Sequence, residues 1–200
     1  MQREYYMRWT VDASDSWLQP LLSDSHEAEV NTQNKYLTDL NDDILFEIML
    51  YLDIKDCLAL VCTDARFLPA FEMFAQHELK VVSYTDLRNL SEWQKQQFFA
   101  FAGEYIEEYQ LQVYYIDKWC FKSCCLYLTM YCPNLKTLEV SSLCHRGADD
   151  LNKLLAKMQN LKTFELYACS IRDECSAAIS NLAQLEELSL SYCDYITGKL

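Results

Sequence analysis

The sequence predicts an α/β protein in which a small three-helix module precedes a short solenoid of strand–helix repeats. Three observations carry this reading. Apolar residues between positions 40 and 76 recur at helical spacing in three short segments. One six-residue apolar pattern then returns three times in phase, at intervals that a strand plus a helix would fill. Between the copies the period is helical again. With 51% apolar and 14% aromatic residues among 200, the chain has enough material for a packed core and too many aromatics for wholesale disorder.

Residues 1–35 read as a polar, acidic tail, with scattered Tyr5, Tyr6, Trp9 and Trp17 but no sustained period. A helical module follows over 36–80. Ile44, Leu45, Ile48, Met49 and Leu52 fall at i, i+1, i+4, i+5 and i+8, one face of a helix, and Asn41, Asp42 and Asp43 stand where short polar side chains cap its N-terminus. Asp53-Ile54-Lys55-Asp56 breaks the stripe, and Cys57, Leu58, Leu60, Val61 and Cys62 start a second helix. Phe67, Leu68, Phe71 and Phe74 mark a third over about 64–76, which Pro69 is placed to split. Three such helices cannot hide this much apolar surface alone, so the module predicts a partner or a neighbouring domain.

The stretch 81–105 reads as a helical linker. Ser91 and Gln94 fit a capping box ahead of Phe98, Phe101, Ala102 and Tyr105, and Gly103 marks the helix end. Repeats are expected over 106–200, in about four units with the last incomplete. Leu135-Lys136-Thr137-Leu138-Glu139-Val140, Leu161-Lys162-Thr163-Phe164-Glu165-Leu166 and Leu185-Glu186-Glu187-Leu188-Ser189-Leu190 are copies of L-x-x-L-x-L, and three residues beyond each stand Leu143, Cys169 and Cys193. The pattern resembles that of leucine-rich repeats, in which L-x-L alternates a strand's side chains into the core and a Cys or Asn tucks under the turn. Leu151, Leu154, Leu155 and Met158, then Ala177, Ala178 and Leu182, supply the helices. Ile106-x-x-Tyr109-x-Leu111 is a looser copy suited to the end of a stack, with 119–131 as its helix. The last copy breaks off at 195–200 before its helix, which predicts a fragment or a short member with an open apolar end.

Several function classes drop out. A net charge of −13 with no basic patch argues against nucleic acid and anionic membranes. Gly103, Gly147 and Gly198 are too far apart for a phosphate loop. No run is long enough to span a membrane and Met1–Val11 does not read as a signal peptide, so the expected location is cytoplasmic or nuclear. Ten cysteines then face a reducing compartment. The densest group, Cys120, Cys124, Cys125 and Cys132, lacks zinc spacing, and Cys144-His145 is only a dipeptide, so neither a metal nor a cofactor is expected. His26, His77 and His145 occur in no catalytic motif, which points away from an enzyme.

The segment from Leu40 to Leu58 resembles the F-box motif, written L-P-x-E-[IL]-x-x-x-I-F-x-x-L followed by D-L and V-C. Leu40, Ile44, Ile48, Leu52, Asp56, Val61 and Cys62 fall on or near family positions, and Phe67 stands where an aromatic belongs. Asn41 replaces the family's proline and Asp43 its glutamate. With repeats following, the chain resembles an F-box and leucine-rich-repeat protein. That resemblance implies a non-catalytic substrate adaptor of an SCF-type cullin–RING ubiquitin ligase, in which the F-box binds the Skp adaptor and the repeats hold a protein substrate. It implies Leu40, Asn41, Ile44, Leu45, Ile48, Leu52, Leu58 and Val61 as the Skp-contact set, some of them packing within the module. The variable strand positions Lys136, Thr137, Glu139, Lys162, Thr163, Glu165, Glu186, Glu187 and Ser189 are expected to build the concave, outward face and are the candidates for substrate recognition. Acidity and repeats fit equally an acidic leucine-rich-repeat inhibitor or scaffold that holds a basic partner without recruiting a ligase.

Overall fold

The computed structural model describes residues 36–197 apart from 113–117, 172 and 194. The tail expected over 1–35 and the last three residues of the break-off expected over 195–200 lie outside the described residues, as do the side chains of 118–120 and 174. The architecture is mixed α/β. Helices α1 (Asp42–Met49), α2 (Ile54–Thr63) and α3 (Leu68–Glu78) come first, followed by β1 (Val81–Ser83), α4 (Tyr84–Leu87) and α5 (Glu92–Ala102). Next are β2 (Glu108–Gln112), α6 (Lys118–Tyr131), β3 (Thr137–Ser141), α7 (Ala148–Leu155), β4 (Thr163–Tyr167), α8 (Ser176–Ser180) and β5 (Glu187–Ser191). The five strands form one parallel sheet in sequence order, β1 to β5. Among the described residues no helix is long and apolar enough to cross a membrane.

Local signals explain most boundaries. The Asn41 side chain accepts the Ile44 N–H at 3.0 Å to cap α1. Asp53, which reads in sequence as part of a break, caps α2 by accepting the Asp56 N–H at 2.8 Å, so that helix starts at Ile54 and not at Cys57. Pro69 does not split the third helix. It occupies the first turn of α3, after a short 3-10 turn at Ala65–Phe67, where its missing N–H has no partner to lose. The Ser91 hydroxyl accepts the Gln94 N–H at 3.3 Å, and the Gln94 side chain accepts the Ser91 N–H at 2.9 Å, the capping box the sequence predicts.

The stretch 81–105 is not purely helical. Val81–Ser83 pairs in parallel with 108–110, so the sheet begins one strand–helix unit earlier than the sequence pattern implies. Register then runs straight through the molecule: Val82, Tyr109, Leu138, Phe164 and Leu188 are lateral neighbours, as are Leu111, Val140, Leu166 and Leu190. The first row is buried from Val82 to Phe164, and Leu188, on the edge strand, is 43% exposed. After the last three strands, Ser142, Ala168 and Tyr192 adopt φ of 60°, 52° and 56° at equivalent places, and the next residue, Leu143, Cys169 or Cys193, turns inward. Ala177 faces out from α8, while Leu151, Leu154, Leu155, Met158 and Leu182 are buried.

The sequence suggests two cores, one in the module and one in the repeats. The structure has a single one, continuous from Leu45 to Leu182. Helix α5 joins the halves with aromatic rings. Phe101 meets Phe71 of α3 at 6.4 Å between centroids, while Phe99 meets Tyr109 of β2 at 5.8 Å and Tyr127 of α6 at 5.6 Å. Gly103 at the end of α5 has ordinary helical φ, so conformation does not require glycine there. Close approach does, since a Cβ would stand 2.5 Å from the Tyr131 carbonyl oxygen.

Candidate functional site

Helix α1 is eight residues long and apolar on two sides. Its inward side carries Leu45 and Met49, packed into the core with Cys57, Leu58 and Val61 of α2, and the Cys57 thiol donates to the Met49 carbonyl at 3.6 Å. Its outward side leaves Ile44 47% exposed and Ile48 half-buried, and the chain leaving the helix adds exposed Leu50 and an 88% exposed Tyr51. Leu40 and Leu52 are half-buried at the two ends. Arg66 holds this surface in place, donating to the Leu40 carbonyl at 2.8 Å and pairing with the Asp42 carboxylate. The Phe46 ring meets the His77 ring of α3 at 5.5 Å between centroids, which fixes the helix from the other side.

The eight residues expected to touch a partner therefore divide. Leu45, Leu58 and Val61 are buried and hold the module together, so they are unavailable to a partner in this state. Asn41 is exposed but committed to its cap. Ile44, Ile48, Leu40 and Leu52 present apolar atoms to solvent, and the structure adds Leu50, Tyr51 and the exposed Tyr36 and Leu37. The sequence carried a signal for Tyr51: a large aromatic beside a helix end, off the inward stripe, has little core to enter. An apolar patch of this kind on a folded domain marks an interaction surface.

The second candidate surface is the open face of the sheet. Strand alternation sends Glu108, Thr137, Thr163 and Glu187 to it in one lateral row, and Gln110, Glu139, Glu165 and Ser189 in the next. Glu139 and Glu165 are direct neighbours. Burial first, then the Glu165 and Glu108 carboxylates, push the Glu139 pKa up. Lys136 and Lys162 do not neutralise the rows. They lie at the strand entrances and bond Glu107 at 2.6 Å and Glu186 at 2.7 Å, holding the Glu107 carboxyl below its usual range. Of the nine outward positions read from sequence, Lys136, Lys162 and Glu186 thus form the rim, and the other six lie on the face. Tyr167 and Tyr192, both exposed and edge-to-face at 5.3 Å, extend it and are not evident from the repeat pattern.

The thiols mostly pack. Cys169 donates to the Val140 carbonyl at 3.4 Å and Cys193 to the Leu166 carbonyl at 3.6 Å, each reaching back to the preceding strand. Burial pushes Cys57 and Cys132 up to about 12 and Cys169 to about 11, far from a thiolate at neutral pH. Cys62 and Cys144 are exposed. Among the described residues no group of three or more His, Cys, Asp or Glu side chains is placed to hold a metal ion. No family model, curated protein or solved structure matches this chain.

Proposed function

We propose that the chain is an F-box and leucine-rich-repeat adaptor of an SCF-type ubiquitin ligase, non-catalytic itself, with the outward side of α1 and the turn after it docking on the Skp adaptor and the sheet receiving a substrate protein. The observation that carries this reading is the apolar surface of Ile44, Ile48, Leu50 and Tyr51, which falls on the segment resembling the F-box and which the fold leaves uncovered among the described residues. Its support is twofold. The patch is held on a helix braced by Arg66 and Phe46, so it is presented without an ordering penalty. A parallel sheet with one face under helices leaves the other free for a protein ligand. The adaptor works where its ligase does, in the cytoplasm or nucleus.

The test is co-purification of the full chain with a Skp–cullin complex. Stoichiometric recovery is expected, and recovery that is lost in Ile44→Asp would assign the contact to this patch. A folded chain that fails to bind Skp overturns the adaptor reading. The acidic scaffold reading then stands, because the uncompensated Glu139–Glu165 pair favours a basic protein on the sheet without requiring a ligase.

A further inference from the structure

A groove of about 370 Å³ lies where α3, α5 and α6 converge, and none of its lining residues belongs to either surface described above. Leu68, Phe101, Met130 and Tyr131 supply its apolar lining, and the carboxylates of Glu72 and Glu104 stand at its rim. Met130 is 58% exposed, although Phe121, Cys124, Cys125 and Leu128 of the same helix are buried. One turn back on the same side of α6, Leu126 is exposed as well. An unbranched thioether at the mouth of an apolar groove adapts to whatever side chain enters.

The lining holds two carboxylates and no basic side chain, although Glu104 also borders the neighbouring cleft lined by Lys80, Lys136 and Lys162. Neither Glu72 nor Glu104 forms an ion pair among the described residues. Tyr105, beside the groove, senses the excess: its Gln76 hydrogen bond lowers the hydroxyl pKa, but burial and the Glu104 and Glu72 carboxylates together outweigh that and raise it. Lys122, on the same helix as Met130 but about 12 Å along its axis, is not part of the lining.

We propose that this groove docks a protein segment presenting one large apolar side chain beside a lysine or arginine, the apolar group against Phe101 and Met130 and the cation between Glu72 and Glu104. Charge complementarity selects this occupant. An acidic segment would be repelled at the rim, and a wholly apolar one would leave two carboxylates facing a dry contact, which costs more than it gains. The site shares no lining residue with the Skp-facing patch or the sheet face, so it can serve whether or not the adaptor reading holds.

The experiment is a random-peptide display selection on the full chain, with parallel selections on Met130→Glu and on the double variant Glu72→Lys/Glu104→Lys, each checked for an unchanged thermal melt. The expected result is enrichment of an aromatic or aliphatic residue next to Arg or Lys. A synthetic peptide from that set should bind the chain and lose at least tenfold in affinity on Met130→Glu. The double variant should turn the preference towards acidic peptides. Enrichment that persists on Met130→Glu, peptides lacking a basic residue, or no enrichment at all overturns the proposal. So does a Met130-dependent dimer in sedimentation velocity, which would make a second copy of the chain the occupant.

Discussion

Ile44 and Leu45 are adjacent on α1, yet the structure assigns them opposite work, and substituting each separates stability from binding. Leu45 is 1% exposed and belongs to the buried core, as do Met49, Cys57 and Leu58. Truncating it to alanine removes buried methyl groups and leaves a void, which costs about 2–5 kcal/mol. At about 2–4 °C per kcal/mol for a chain of this size, the melting temperature should fall by roughly 4–20 °C. Ile44→Asp behaves differently. Position 44 is the third residue of the helix after the Asn41 cap, where a carboxylate meets free N–H groups and gains about 0.3–1 kcal/mol, offsetting the small loss of half-buried apolar area. The fold should therefore stay within about 1 kcal/mol of the parent. Binding should not. A partner covering the exposed half of Ile44 gains about 1 kcal/mol from its area, and a carboxylate in that contact adds about 2 kcal/mol of desolvation cost. Together these weaken the dissociation constant about a hundredfold. The assays are urea unfolding and calorimetric titration with a Skp–cullin complex. If Ile44→Asp binds like the parent while folded Leu45→Ala does not, the assignment of inward and outward sides is wrong.

Gly103→Ala should destabilise by about 1–3 kcal/mol in a thermal melt, because the new Cβ meets backbone of Tyr131 and not a side chain that can turn aside. Under native conditions at pH 8, an alkylating reagent read out by mass spectrometry should modify Cys62 and Cys144 first and spare Cys57, Cys132 and Cys169, whose thiols burial holds at about 11–12. Rapid labelling of Cys57 would show that α1 and α2 open readily. Glu139 binds its proton more tightly in the folded chain than in the unfolded one, so its ionisation opposes folding. Stability should fall as pH rises from the ordinary glutamate range through the raised value, with no such effect below that range. Glu139→Gln should accordingly raise stability at pH 7 by about 0.2–1 kcal/mol, and the difference should vanish below about pH 4 when urea midpoints are compared.

What could be read from sequence depended on whether the signal was local. The strands at 137, 163 and 187 were legible because a period of two within L-x-L fixes which side chains turn inward, and the observed register pairs the same positions. Strand β1 was not legible. Three residues, Val81-Val82-Ser83, carry no such pattern, and only lateral pairing with β2 makes them a strand. The five apolar residues that read as one face of the first helix do not all turn inward: Leu45 and Met49 are buried, while Ile44 is exposed and Ile48 and Leu52 are half-buried. Leu45 and Met49 compete with Ile44 and Ile48 for the core, and periodicity cannot rank two apolar stripes a hundred degrees apart on one short helix. Packing against α2 and α3 decides it. The Glu139–Glu165 neighbours lie between those extremes, since aligning the repeats implies the pairing while its electrostatic consequence needs the open face.

The single core bears on function more than any one of these elements. Two modules on a flexible tether would let a partner on α1 and a ligand on the sheet take many relative positions. Here α5 carries ring contacts in both directions, Phe101 to Phe71 of α3 and Phe99 to Tyr109 of β2, and close packing of this kind resists shear. A partner bound at Ile44 and Tyr51 is then held at a set distance and angle from Glu139 and Glu165. For an adaptor that geometry matters, because transfer to a substrate depends on where its lysines sit relative to the ligase. Phe101→Ala would test the coupling. It removes the ring that meets Phe71 but leaves the Phe99–Tyr109 and Phe99–Tyr127 contacts intact. Hydrogen exchange should then rise in α1 to α3 and stay unchanged in β3 and β4. Equal protection throughout would mean that the aromatic bridge does not carry the connection.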